Sequence, residues 1–316
     1  MKHSIVTGGA GFVGSHLCEF LLERGHRVTC VDNLITGNLG NIASLRSHPR
    51  FRFVRHDVTR PLPKKAGRAD LLFHLASPAS PVGYQVNSIA TIQANSTGTH
   101  LLLEYCRKAG AKFLYASTSE VYGNPSVHPQ VETYWGNVNS FGPRSCYDES
   151  KRLGEALVYE YLHKFRVDAR IIRIFNTYGP RLNEADGRVV SNFITQALNG
   201  RPITLYGKGS QTRSFCYVSD LVAGIWAAMT RPGTRGGVFN LGNPNETTIL
   251  KFAGIVIRLC DTGKGRIIHK PMPTDDPIRR KPDISKARRV LGWSPRVSLA
   301  EGLGYTIDYY RQRMTK

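Results

Sequence analysis

From residue 4 to about 175, short runs of β-branched and other apolar residues alternate with longer stretches whose apolar positions recur at helical spacing. Short apolar runs that give way repeatedly to stretches with a period near 3.6 are the pattern of strands joined by crossover helices in a parallel sheet. The predicted strands are Ser4–Thr7, Arg27–Asp32, Phe51–Arg55, Leu71–Leu75, Lys112–Ser117 and Ala169–Phe175, with helices near 12–24, 88–109 and 147–165. Gly25 follows Glu23 and Arg24 and ends the first helix as a left-handed C-terminal residue does. Six such strands predict an α/β fold built on a doubly wound sheet. Beyond Phe175 the pattern is less regular, with Gly- and Pro-rich loops and helices predicted near 189–198, 219–230, 249–260 and 298–313. Residues 1–175 are therefore expected to form the main domain and 176–316 mainly a smaller α/β lobe that captures substrate. Val238–Leu241 reads as a further buried strand that returns to the main sheet.

Composition narrows the class. With 316 residues, 41% of them hydrophobic, the chain can bury a full core. No apolar run approaches the roughly 18 residues of a membrane helix, and MKHSIVTGGAG enters a strand directly, so export is not expected and a cytoplasmic home is. The six cysteines, at 18, 30, 106, 146, 216 and 260, sit singly in apolar segments without a C-x-x-C pair or a His cluster. They read as reduced core thiols, and no metal site is expected. The formal charge of +20 favours an anionic partner or serves solubility. Its dispersal along the chain, without a dense basic run or aromatic stripe, speaks for a phosphorylated small substrate rather than nucleic acid.

The chemistry starts in T7-G8-G9-A10-G11-F12-V13-G14, after the first strand and at the opening of the first helix. Side chains at Gly8, Gly11 and Gly14 would keep a pyrophosphate from the free N–H groups that Phe12 and Val13 help to present at the helix start. Asp32, followed by Asn33, ends the second strand, where a carboxylate accepts from ribose hydroxyls and repels a 2′-phosphate. Strand context, spacing and acid together predict a Rossmann site for NAD rather than NADP. Tyr147 and Lys151 stand four apart and share one face of a helix. An ammonium beside a phenol favours the phenolate, so the pair can take a hydroxyl proton while hydride leaves for NAD. Ser117-Thr118-Ser119-Glu120-Val121-Tyr122-Gly123 ends the fifth strand, at the edge where open α/β sheets hold ligands. Thr118 is expected to bond the hydroxyl being oxidised, with turn capping as the alternative. Glu120, a carboxylate beside an apolar strand end, needs a partner or a task.

The G-x-x-G-x-x-G spacing resembles the extended, sugar-nucleotide-modifying class of the short-chain dehydrogenase/reductase superfamily. Asp57-Val58, His74-Leu75-Ala76 and Asn95 fit it, and the resemblance implies that Asp57, Val58, Leu75, Ala76, Asn95 and Ser117 lie along the dinucleotide. Ser119 stands where related dehydratases carry Asp, and Glu120 where 4-epimerases carry a small residue. Thr-Ser-Glu is the pattern of UDP-glucuronate decarboxylases, or UDP-xylose synthases. HLASPASP at 74–81, GPRSCYDESKR at 142–152, IFNTYGPR at 174–181, DGRVVSNF at 186–193 and RRKPDI at 279–284 resemble the same family, so the likeness spans nearly the whole chain. It implies that Arg280 grips a hexuronate carboxylate, that Asn176, Arg188, Tyr206 and Arg213 line the uridine diphosphate half, and that Tyr84 and Arg181 lie near the sugar. It implies also a homodimer through the helices near 88–109 and 147–165, and a route from UDP-glucuronate through a 4-keto intermediate to UDP-xylose. Ser150 departs from a frequent Gly beside the lysine. A dehydratase, an epimerase and a catalytically silent NAD-binding regulator are the alternatives.

Overall fold

The computed structural model describes residues 1–261, 266–271 and 279–314. Its centre is a seven-stranded parallel sheet. The strands are β1 (His3–Thr7), β2 (Arg27–Asp32), β3 (Phe51–Arg55), β4 (Leu71–His74), β5 (Lys112–Thr118), β6 (Ala169–Ile174) and β7 (Val238–Leu241). In space they run β7-β6-β5-β4-β1-β2-β3. The order reverses between β4 and β1, and a doubly wound sheet binds its ligand at such a switch point. β1, β4 and nearly all of β5 are buried on both faces, which is why their sequences are continuous rather than alternating. β7 returns as expected, pairing Val238 with Ile171 and Leu241 with Ile174.

The helices are α1 (Phe12–Glu23), α2 (Pro81–Val86), α3 (Ser88–Gln93), α4 (Thr99–Ala109), α5 (Ser145–Lys164), α6 (Val189–Leu198), α7 (Val218–Thr230), α8 (Ile249–Cys260) and α9 (Leu299–Met314). Gly25 ends α1 at φ +80°, its N–H donating to the Leu22 carbonyl. One core cluster joins α1 and α7 to one face of the sheet through Leu17, Leu21, Leu221 and Ile225. A second joins α4 and α5 to the other face through Leu102, Leu103 and Val158. A third, centred on Phe193, Phe215 and Phe252, holds α6, α8 and α9 together as the lobe.

Three features differ from the sequence pattern. The stretch 88–109 is interrupted by a π-helical turn at Ala94–Gly98, where small and polar residues replace the apolar repeat and Gly98 packs directly on Val58. Helix α7, read from sequence with the lobe, lies against α1 and the main sheet, and Trp293 Nε1 donates to the Asp220 carbonyl at 2.8 Å to fix it there. Short strands too brief to show a period also form, among them Thr212–Ser214, flanked by Glu246–Thr248 and Arg279–Arg280. Among the described residues no helix is long and apolar enough to cross a membrane.

Candidate active site

The carboxyl ends of β1, β2, β4, β5 and β6 open into one cleft of about 850 Å³ against the lobe. Every site residue expected from sequence lines it except Asn95. Asn95 lies in the π-helical turn, fully buried beneath the cleft, and its amide donates to Ser150 Oγ at 3.0 Å. The serine that departs from the family's Gly therefore ties the turn to α5.

At the nucleotide end, Gly11 caps α1 without a side-chain bond, and no acid stands in the first turn. The first N–H groups of the helix are left for an anion. Gly8 holds φ +72°, and a Cβ there would lie 2.8 Å from the Leu75 carbonyl; a Cβ on Gly14 would lie 2.1 Å from Gly8 O. Asp32 accepts from Ala10 N at 3.0 Å and Leu34 N at 2.8 Å, so it shapes the loop while keeping acceptor capacity toward the cleft. Burial raises its pKa, with those two bonds pulling the other way. Asn33 donates to Asp57 Oδ2 at 3.1 Å. Burial would raise Asp57, but bonds from Thr59 and Asn33 outweigh it and hold that carboxyl low. An uncapped helix start, a glycine cradle and a carboxylate at the second strand end fit an adenine dinucleotide.

At the reactive end, α5 begins beside the end of β5, bringing Tyr147 and Lys151 under Thr118. Lys151 Nζ donates to the Ala116 carbonyl at 2.9 Å and lies 5.7 Å from the centre of the Tyr147 ring. Burial brings the Lys151 pKa down to about 7, against a smaller upward pull from Glu155. Burial likewise pushes the Tyr147 phenol up, and a hydrogen bond from Thr118 draws it back. A single charge on either group is disfavoured here, whereas an ammonium–phenolate pair is compensated. Tyr84 stacks on Tyr147 at 4.9 Å with 5° between the rings. The Thr118 oxygen accepts from Glu120 N at 3.2 Å, so capping and site placement coexist.

Glu120 is held by two guanidiniums, those of Arg280 and Arg144. Burial alone would raise its pKa, but the two positive charges outweigh that and keep it ionised. Arg280 is positioned by the pairing of Arg279–Arg280 with Thr212–Arg213 and donates to the Gly123 carbonyl at 3.3 Å. Arg144, within GPRSCYDESKR, is not among the site residues that the sequence predicts. The available signal was its place three residues before Tyr147, on the same side of the helix start. Toward the lobe, Arg188 pairs with Asp186, and Asn176, Tyr206 and Arg213 line the wall. Arg181, at φ +66°, reaches Glu19 of α1 at 2.7 Å and so lies near the dinucleotide helix.

Residues 4–242 match the NAD dependent epimerase/dehydratase family. The chain belongs to that family. UDP-glucuronic acid decarboxylase 2 of Arabidopsis thaliana is 52% identical over 310 residues, 98% of this chain and 68% of that protein. UDP-glucuronic acid decarboxylase 1 of Xenopus tropicalis is 50% identical over 313 residues, covering 99% and 73%. Among solved structures, UDP-glucuronic acid 4-epimerase from Bacillus cereus, in complex with UDP-glucuronic acid and NAD, aligns with a TM-score of 0.89 at 33% identity, covering 98% of this chain and 99% of that one.

Proposed function

We propose that this cleft decarboxylates UDP-glucuronate to UDP-xylose. The observation that carries the reading is the meeting, in one cleft, of a Tyr147–Lys151 pair with Arg280 and Glu120. The first can oxidise an alcohol and the second handles a carboxylate. Relatives about half identical over nearly the whole chain bear the corresponding name.

Gly8, Gly11, Gly14, Asp32 and Asp57 would hold NAD, with Phe12, Val13, Val58, Leu75 and Ala76 as the apolar walls and Ser117 nearby. NAD bound there supplies a reversible hydride acceptor for the sugar's C4. Tyr147, as phenolate beside the Lys151 ammonium, takes the C4 hydroxyl proton. Thr118 donates to the same oxygen. The C4 ketone lies β to the C6 carboxylate, so breaking the C5–C6 bond releases carbon dioxide and leaves the electron pair in a C4–C5 enolate. Arg280 orients the carboxylate for departure, and Glu120 guides a proton taken from solvent to C5. Tyr147 returns its proton to the C4 oxygen when the pentose alcohol re-forms. Arg188, Arg213, Asn176 and Tyr206 hold the uridine diphosphate, with Tyr84 beside the sugar, whereas Arg181, expected there from sequence, is tied instead to Glu19 of α1.

Incubation with UDP-glucuronate and added NAD tests this by mass spectrometry. Carbon dioxide and a UDP-pentose are expected; a C4-inverted uronate with its carboxylate intact would make the protein an epimerase. The assembly proposed is a dimer, supported by apolar side chains left exposed on adjacent helices, Val86 and Ile89 on α2 and α3 and Leu153 and Tyr159 on α5. Six free thiols suit a reducing compartment such as the cytosol.

A further inference from the structure

We propose that Arg144 is the second arm of a carboxylate clamp shared with Arg280, and that Glu120 occupies this clamp until the substrate's own carboxylate enters. The proposal deepens the decarboxylase reading and rests on it for the identity of the substrate.

Glu120 bridges the two arginines with different oxygens, Oε1 to Arg280 and Oε2 to Arg144. The two guanidiniums therefore stand one carboxylate's width apart, both on the cleft wall. A guanidinium has five N–H donors. Arg280 donates to Glu120 and the Gly123 carbonyl, and Arg144 to Glu120, with Asp148 Oδ2 a looser 3.7 Å from its Nε. Both keep donors for a second anion.

The charge balance points the same way. Glu120 is one negative charge facing two positive ones. Asp148, the other carboxyl in reach, is buried, its Oδ1 has no hydrogen-bond partner, and burial followed by the Glu120 charge raises its pKa to about 7. Raised in this way, it offsets the arginines less than an ordinary carboxylate would, which leaves the cluster a place for further negative charge. A hexose whose C6 is an uncharged hydroxymethyl group would leave that place empty. Arg144 is thus a residue that selects a uronate over a neutral sugar, in addition to its structural contact with α5.

Binding is read by titration calorimetry with NAD present, in a Tyr147→Phe background so that no turnover occurs, using UDP-glucuronate, UDP-glucose and UDP as ligands. Arg144→Met is expected to weaken UDP-glucuronate by at least about tenfold, the scale of one lost charge-assisted bond. UDP-glucose and UDP are expected to stay within about twofold, and Arg144→Lys to restore most of the loss. Equal weakening of all three ligands, or no weakening, overturns the proposal. Should Arg144→Met fail to fold, Glu120→Gln decides: release of the internal occupant should tighten UDP-glucuronate without changing UDP-glucose, and unchanged UDP-glucuronate binding overturns the clamp. A Tyr147→Phe protein that prefers UDP-glucuronate, from a parent that releases no carbon dioxide, leaves the clamp standing and removes the decarboxylase reading instead.

Discussion

Lys151 ends against the Ala116 carbonyl, near the Tyr147 ring and buried at the base of the cleft. Its ammonium makes a phenolate tolerable at that depth, because the pair is neutral as a unit. Removing the charge leaves burial, which raises the phenol's pKa, opposed only by the hydrogen bond from Thr118 and the Arg188 charge. Lys151→Met is therefore expected to shift the rising limb of the kcat profile to higher pH, with kcat at pH 7 down by a factor of about a hundred or more, within the range for losing general-base catalysis. An unshifted limb would mean that the lysine serves binding only. Tyr147, Lys151, Thr118 and Glu120 were legible in the sequence because each combines a special side chain with a fixed place at a strand end or helix start. Arg144 was less so: its place three residues before Tyr147 puts it on the same side of the helix start, but its task emerges only where Glu120 lies opposite.

Helix α1 and its preceding loop show how an element is set by what it cannot hold. A Cβ on Gly14 would lie 2.1 Å from Gly8 O and 2.8 Å from the Gly9 Cα, so Gly14→Ala must push the loop away from the helix start. An overpacking cost of roughly 1–3 kcal/mol predicts NAD affinity reduced by about fivefold or more, read by titration of bound NADH fluorescence. Unchanged affinity would show that the loop has slack the packing does not suggest. The main strands were readable to within a residue because the central ones are continuous buried apolar runs and each is bounded by loop or helix signals. The π-helical turn at Ala94–Gly98 was not, because a short break of small and polar residues in a helix does not declare its hydrogen-bond register, which is fixed by tertiary contacts such as Gly98 on Val58. The two- and three-residue strands that carry Arg213 and Arg280 were likewise invisible, although they position the clamp.

At the scale of the molecule, chain order and spatial order part company after Phe175. The segment weaves between sheet and lobe: α6 joins the lobe, α7 and β7 return to the sheet, and α8 and α9 close the lobe again. Sequence pattern alone recovered the returning strand but assigned α7 to the wrong layer, since an apolar helix does not declare which face will bury it. The proposed dimer makes its own demand on the exposed side of α3. Ile89→Asp is expected to convert the protein to a monomer by sedimentation velocity while leaving NAD binding intact, and a dimer that survives the change would place the interface elsewhere.

The central claim is that the sugar's carboxylate departs after C4 is oxidised. UDP-glucuronate labelled with carbon-13 at C6, incubated with the protein and NAD and followed by NMR, tests it most directly. The label is expected to leave the sugar as carbon dioxide and bicarbonate while an unlabelled UDP-xylose accumulates; a label that stays in a UDP-uronate, inverted at C4 or unchanged, would contradict the account.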